Sequence, residues 1–313
     1  MSMAPVDSAS DDCRVVGLIG LGIMGSAIAP NLISAGFTVV GHDIDPARCR
    51  ALVDAGGLAP GSAAAVARHA AIVITSLPGG AALEAVLNAP DGLLAGGRRD
   101  GILIETSTLP IDDKRRARAA AHPGFTVLDC PLSGTGAQAR TRDLVVYASG
   151  DPAAIARCRP VFQGFARASH DLGEFGNGSR MKFVANLLVA IHNVAAAEAM
   201  VLGMKAGLDA QQILEVVGDG AGGSRMLSVR GPQMVADCYE PATMKVEVWQ
   251  KDMRIIGEFA ASLDCPTPLL SAAAPVYTAA MAQGFAAQDT ASVCAVLADM
   301  ARLSRNGPPT REA

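Results

Sequence analysis

Val15-Val16-Gly17-Leu18-Ile19-Gly20-Leu21-Gly22-Ile23-Met24-Gly25 decides the fold of this chain. An apolar strand-like run breaks into Gly-x-Gly-x-x-Gly and continues in helical pattern to Ala35, the order of a dinucleotide-binding turn. Gly20 permits the tight turn, Gly22 lets the backbone approach a pyrophosphate, and Gly25 lets the helix pack on the strand. Leu21, Ile23 and Met24 lie between these glycines, so the N–H groups of the helix start face the phosphates. Gly36 stops the helix. A second apolar run, Phe37 to Gly41, ends at His42-Asp43, which places Asp43 23 residues (43 − 20) after Gly20. A carboxylate there can accept both ribose hydroxyls of NAD and repels the 2′-phosphate of NADP, so the expected cofactor is NAD rather than NADP.

Working outward, strand-like runs alternate with amphipathic stretches from Val15 to about Leu172. Strands are expected at Ala71 to Ser76, Ile102 to Glu105, Phe125 to Asp129 and Leu144 to Ala148. Helices are expected at Ala81 to Leu87 and after the caps Asp45-Pro46 and Asp151-Pro152. The pattern predicts an α/β Rossmann domain over 14–179, with one doubly wound, mostly parallel sheet. After Gly178 strand signals fade. Met181 to Ala206 reads as one long helix, followed by helices at Ala210 to Val217, Thr243 to Ser262, Ala272 to Ala282 and Ala291 to Arg302. An all-α domain over 180–313, joined to the first by the long helix, is therefore expected. Residues 1–13 read as a flexible tail without the basic start and apolar stretch of a signal peptide, and Asn306 to Ala313 reads as a frayed end.

Composition narrows the function classes. A net charge of −4 with no basic stripe leaves no nucleic-acid footprint. Phe183 to Met204 is apolar enough to raise a membrane span, but Asn186, His192, Asn193 and Glu198 suit a helix buried in protein better than one in lipid. The seven cysteines (13, 49, 130, 158, 238, 265, 294) are scattered, with neither Cys-x-x-Cys nor clustered histidines. They read as buried small hydrophobes in a reducing cytoplasm, with no metal site.

Four further segments are candidates for chemistry. Leu77-Pro78 and Ser107-Thr108-Leu109-Pro110 follow strand ends where a nicotinamide ribose would lie; by spacing alone they are equally two proline-stopped turns. Asp129-Cys130-Pro131-Leu132-Ser133-Gly134-Thr135-Gly136 can expose several N–H groups as a carboxylate nest, or can be a hairpin entry. Gly176-Asn177-Gly178-Ser179-Arg180-Met181-Lys182 opens the long helix, with Lys182 and Asn186 on one face. A lysine there is a candidate proton donor and acceptor, against the alternative of a solvated lysine at a helix start.

The order of these segments (glycine-rich turn, Ser-Thr-x-Pro, Asp-x-Pro-x-Ser-Gly, Gly-x-Gly-x-x-x-Lys) resembles the β-hydroxyacid dehydrogenase family, which includes 3-hydroxyisobutyrate dehydrogenase and tartronate semialdehyde reductase. The resemblance covers residues 14 to 300. It implies hydride transfer between NAD and a small anionic 3-hydroxy acid, with Lys182 in the place of the catalytic lysine and Asn186 orienting Lys182 and the substrate hydroxyl. Ser133, Gly134 and Thr135 match the substrate-carboxylate loop. Lys251-Asp252 resembles the pair whose lysine reaches over the cofactor, so Lys251 is expected at cofactor and substrate; a surface ion pair is the bland alternative. Gly20, Leu21, Gly22, Ile23, Met24, Gly25, Asp43, Leu77, Pro78 and Thr108 complete the expected cofactor site. A homodimer or homotetramer is expected from the family and from a long helix that is apolar on more than one face. The chain departs from the family at Thr135, Arg142 and Ala185, where the pattern has glycine, glycine and asparagine, and this leaves the substrate open. Imine reduction on the same scaffold and a non-catalytic NAD-binding module are the competing readings; Lys182 speaks against the first, and Lys182, Asn186 and Ser133 together against the second.

Overall fold

The structure, a computed structural model, describes residues 14–305. The first half runs β1 (Val15–Ile19), α1 (Ile23–Ser34), β2 (Thr38–His42), α2 (Pro46–Asp54), α3 (Ala63–His69), β3 (Ile72–Thr75), α4 (Gly80–Asn88), β4 (Gly101–Glu105), α5 (Ile111–Ala121) and β5 (Phe125–Asp129). Its five strands form a parallel sheet in the order β2-β1-β3-β4-β5. The order reverses beside β1, which puts a topological switch point at the carboxyl ends of β1 and β3. These strands are apolar at successive positions because both faces are covered. Val16, Leu18, Ile74 and Ile104 pack on one face with Phe162 and Phe165, while Val73, Leu103 and Val127 pack on the other with Val66 and Leu83.

One expectation is corrected here. The run at Leu144 to Ala148 does not join the large sheet. Instead β6 (Leu132–Ser133), α6 (Gly136–Arg140), β7 (Val145–Ala148), α7 (Pro152–Phe165) and β8 (Ala168–Asp171) build a separate three-stranded sheet, β6-β7-β8, antiparallel on one side and parallel on the other. The physical reason lies at Asp129, whose N–H and C=O pair antiparallel with Ser149, so the chain turns back instead of crossing over.

All remaining elements are helical: α8 (Asn177–Lys205), α9 (Ala210–Asp219), α10 (Arg225–Ala236), α11 (Val246–Ser262), α12 (Pro268–Ala282) and α13 (Val293–Met300). α8 begins four residues before the expected Met181 (181 − 177). α10 escapes sequence reading because Gly231-Pro232 interrupts its pattern. Two compact units emerge, one ending at Lys182 and the other beginning at Phe183. Within the second, Asp289 is the polar centre: it accepts from Arg230 Nε (3.2 Å), from the Thr243 hydroxyl (2.6 Å) and from the N–H groups of Thr243, Met244 and Ala291. By length and composition α8 could cross a membrane. Yet its Asn193 is fully buried among protein groups, donating to Tyr277 Oη and the Thr290 carbonyl.

The expected tail over 1–13 and frayed end from Asn306 lie outside the described residues. Cys130, Cys158 and Cys294 are buried free thiols, whereas Cys238 and Cys265 are exposed, contrary to the expectation for all seven.

Candidate active site

The glycine-rich turn occupies the switch point, and its three glycines differ in what requires them. Gly20 has φ +90°, and a Cβ there would stand 2.2 Å from the Ser76 carbonyl oxygen of the neighbouring strand end. A Cβ on Gly25 would stand 2.0 Å from the Gly20 carbonyl. These two glycines are demanded by the protein's own packing. Gly22 is not: the nearest heavy atom to its Cβ position is Arg48 Nη1 at 3.8 Å. Gly22 is also the N-cap of α1 and offers no side-chain cap to its N–H groups. Open space in front of uncapped N–H groups fits a pyrophosphate. Ile23 and Ser26 of α1 share a groove there with Arg48 and Arg140, two cations suited to an anionic ligand.

Asp43 is buried at the end of β2 and is already engaged. Its Oδ2 accepts from the Leu21 N–H at 2.7 Å and from Arg48 Nη1 at 3.3 Å, and its Oδ1 accepts from the Asp45 N–H at 2.9 Å. The carboxylate thus ties the glycine turn to β2, and with about four acceptor sites it retains capacity for a ribose hydroxyl. Arg48, which has no motif to mark it in the sequence, places a cation beside it.

Leu77 lies half-buried and Pro78 exposed after β3. The Leu77 N–H donates to Ser107 Oγ at 2.8 Å, joining the two loops treated separately in the sequence, and Thr108 lies beside that junction, half-buried. Ser133 is in β6, paired with Val145, so its segment is also the hairpin entry that the sequence allowed. Gly134 has φ +129°. Thr135 caps α6: its N–H donates to Gln138 Oε1 (3.0 Å) and its hydroxyl accepts from the Gln138 N–H. That removes one N–H from the expected nest. Arg142, at φ +59°, holds the left-handed conformation in which a glycine would be at ease.

The first turn of α8 is fixed at the carboxyl end of β5. Ser179 donates its N–H to Asp129 Oδ2 (2.7 Å) and its hydroxyl to Asp129 Oδ1 (2.8 Å), and the Gly178 N–H donates to Ser149 Oγ (2.9 Å). An anion at a helix start also suits the helix dipole. Lys182 follows Ser179 by three residues, about 4.5 Å along the helix. Sequence reading missed Ser179 and the capping role of Asp129, since a cap 50 residues away leaves no local signature.

In the helical unit, Asn186 is buried and its Nδ2 donates to Asp252 Oδ2 at 3.1 Å. Lys251 Nζ is 3.4 Å from Asp252 Oδ1. Asp252 is itself buried, which sets aside a purely surface pair, and it joins Asn186 to Lys251.

Comparison with known proteins identifies the family. A family model described as the NAD binding domain of 6-phosphogluconate dehydrogenase matches residues 15–174, and one described as NAD-binding of NADP-dependent 3-hydroxyisobutyrate dehydrogenase matches residues 176–297. The L-threonate dehydrogenase of Cupriavidus necator is 32% identical over 282 residues, 90% of this chain and 95% of that protein. The NAD-dependent L-serine dehydrogenase of Pseudomonas aeruginosa is 32% identical over 283 residues, 88% of this chain and 95% of that protein. A crystal structure of 3-hydroxyisobutyrate dehydrogenase from Salmonella typhimurium matches with a TM-score of 0.82 at 30% identity, over 90% of this chain and 99% of that one. With a glycine turn open only at Gly22 and a lysine one turn into a helix fixed at the sheet's carboxyl edge, the chain belongs to the β-hydroxyacid dehydrogenase family and is an NAD-dependent hydroxyacid dehydrogenase.

Proposed function

We propose that the substrate is a small 3-hydroxy acid, 3-hydroxyisobutyrate-like or glycerate-like, and that Lys182 is the general acid and base for its hydroxyl. The observation that carries this is the pair of bonds from Ser179 to Asp129, which hold the turn before Lys182 at the carboxyl end of β5. NAD, when bound, supplies the hydride acceptor. Loss of hydride from the carbinol carbon leaves a carbonyl only if the hydroxyl proton departs too, and a neutral Lys182 amine accepts that proton. Asn186, one turn further along α8 and oriented by Asp252, provides a hydrogen bond for the same oxygen. Ser133 and Gly134 hold the carboxylate; Thr135 contributes through its capping of α6 more than through its own N–H. Lys251, paired with Asp252, adds positive charge for an anionic ligand.

We further infer a homodimer or homotetramer, supported by the exposed apolar stripe Met181, Val184 and Leu188 on α8. The free thiols and the buried, hydrogen-bonded Asn193 support a protein of a reducing cytoplasm that does not enter the bilayer. Sedimentation velocity at micromolar concentration reads the assembly state. The functional reading is tested by assaying a panel of 2- and 3-hydroxy acids with NAD and NADP. Turnover on 3-hydroxy acids supports it, and turnover confined to 2-hydroxy acids or to imines defeats it.

A further inference from the structure

The 26 basic residues include only five lysines: Lys114, Lys182, Lys205, Lys245 and Lys251. In a chain whose default cation is arginine, one of these five, Lys114 on α5, has a side chain only 1% exposed. Its Nζ is 2.7 Å from Glu105 Oε2 and 2.7 Å from Asp129 Oδ1, and both carboxylates are fully buried. A compact ammonium can bridge two carboxylates at the ends of adjacent strands where a flat guanidinium fork would need more room. Burial by itself would drive the proton off, but Asp129 and Glu105 outweigh it and hold Lys114 charged well above the ordinary lysine range.

What the two carboxylates hold is more telling than the pair itself. Glu105 Oε1 accepts from the Ser107 N–H (2.9 Å), and Ser107 Oγ accepts from the Leu77 N–H (2.8 Å). These are the two loops that the sequence reading expects at the nicotinamide end of the cofactor site. Asp129 holds the first turn of α8 through Ser179. One continuous chain of polar contacts therefore runs Leu77, Ser107, Glu105, Lys114, Asp129, Ser179, and Lys114 is its central link.

We propose that Lys114 is a positioning residue that fixes the cofactor loops at Leu77 and Ser107 in register with the helix turn that bears Lys182. The proposal rests on the dehydrogenase reading above for its catalytic arm, while its cofactor arm stands on NAD binding alone. Hydride and proton leave neighbouring atoms of the substrate, so a displacement of about 1 Å between hydride acceptor and base can cost about a hundredfold. A merely structural Lys114 would instead only neutralise charge.

The two roles separate in a pair of variants. Lys114→Met leaves two buried carboxylates without a counter-charge and lowers both stability and turnover. Lys114→Met combined with Glu105→Gln removes the surplus charge and keeps an oxygen for the Ser107 N–H, yet does not restore the link. On purified protein we expect the double variant to regain most of the melting temperature lost by Lys114→Met. Its kcat should stay down about tenfold or more, and its NADH dissociation constant, read by fluorescence titration, should stay raised about fivefold, with KM for the hydroxy acid changed less. Ser179→Ala should show a smaller kcat loss in the same direction. Recovery of kcat and NADH affinity together with the melting temperature in the double variant overturns the proposal, and this outcome can be read even if Lys114→Met alone fails to fold. Should the wild-type protein turn over no hydroxy acid, the dehydrogenase reading falls, and unchanged NADH affinity in the double variant overturns the role of Lys114 separately.

Discussion

Asn186 Nδ2 donates to Asp252 Oδ2 at 3.1 Å, joining two buried side chains that are 66 residues apart. The bond fixes which end of the carboxamide is occupied by protein and so which end is offered elsewhere. Removing the acceptor leaves a buried donor unsatisfied, at about 1–3 kcal/mol. Asp252→Ala should therefore lower the melting temperature by several degrees, and Asp252→Asn, which keeps an acceptor oxygen, by less. Differential scanning calorimetry on the two variants checks this; equal losses would show that only the charge of Asp252 matters.

Gly22 and Gly25 make an internal control for cofactor binding. Alanine at Gly25 drives a methyl into the Gly20 carbonyl, an overpacking that costs about 1–3 kcal/mol. Alanine at Gly22 meets no protein atom closer than 3.8 Å, so the fold should be unaffected. Its methyl occupies the room left for the pyrophosphate, and NADH affinity should fall about tenfold or more, as expected when backbone N–H contacts to phosphate are displaced. NADH titration with parallel thermal melts decides the case, and normal affinity in Gly22→Ala would remove the pyrophosphate from that position.

In the proposed cofactor site Asp43 and Arg48 would oppose each other in the choice between NAD and NADP. The carboxylate disfavours a 2′-phosphate, and the guanidinium 3.3 Å away offsets part of that repulsion. Asp43→Asn should narrow the NAD preference about tenfold, and Arg48→Ala should widen it, each about the value of one charge-assisted hydrogen bond. The measurement is the ratio of kcat/KM with the two cofactors.

These residues also show where sequence reading succeeds and where it stops. Gly20, Asp43 and the strand ends were legible because a βαβ unit sets its turn, helix and second strand within 30 residues, where spacing carries the geometry. Lys182 and Asn186 were legible as a helical i, i+4 pair. Ser179, Lys114 and the bond from Asn186 to Asp252 were not, because each depends on a partner brought near by folding, at separations of 50, 15 and 66 residues. The second small sheet was hidden for the same reason: β7 has an ordinary strand pattern, and only the pairing of Asp129 with Ser149 turns it away from the large sheet.

Asp289 gives the helical unit a defined acid sensitivity. Burial pushes its carboxyl up, but Arg230, the Thr243 hydroxyl and the N–H groups of Ala291 and Met244 outweigh this and hold the pKa below its ordinary value of 3.8. A depressed folded-state pKa stabilises fully above the unfolded value and loses that contribution as pH falls through the folded one. Asp289→Asn should therefore destabilise at pH 7, with the difference from wild type shrinking below about pH 4. Chemical denaturation from about pH 2.5 to 7 in roughly half-unit steps reads the convergence; a constant difference would assign the effect to packing.

The catalytic assignment stands or falls on Lys182. Proton transfer by a positioned side chain contributes about a hundredfold to ten-thousandfold, and binding of NAD by the glycine turn does not involve this amine. Lys182→Ala should lower kcat about a hundredfold or more while the NADH dissociation constant changes by less than about twofold, since the loss belongs to the transition state and not to cofactor binding. Lys182→Arg, which keeps the positive charge but cannot give up its proton near neutral pH, should be as impaired as the alanine variant. If Lys182→Arg retains substantial turnover, then charge alone suffices and Lys182 binds the substrate anion without moving its proton. If the alanine variant is near normal on a verified substrate, Lys182 is an ordinary lysine in the first turns of α8, and the base must be sought elsewhere along the carboxyl edge of the sheet.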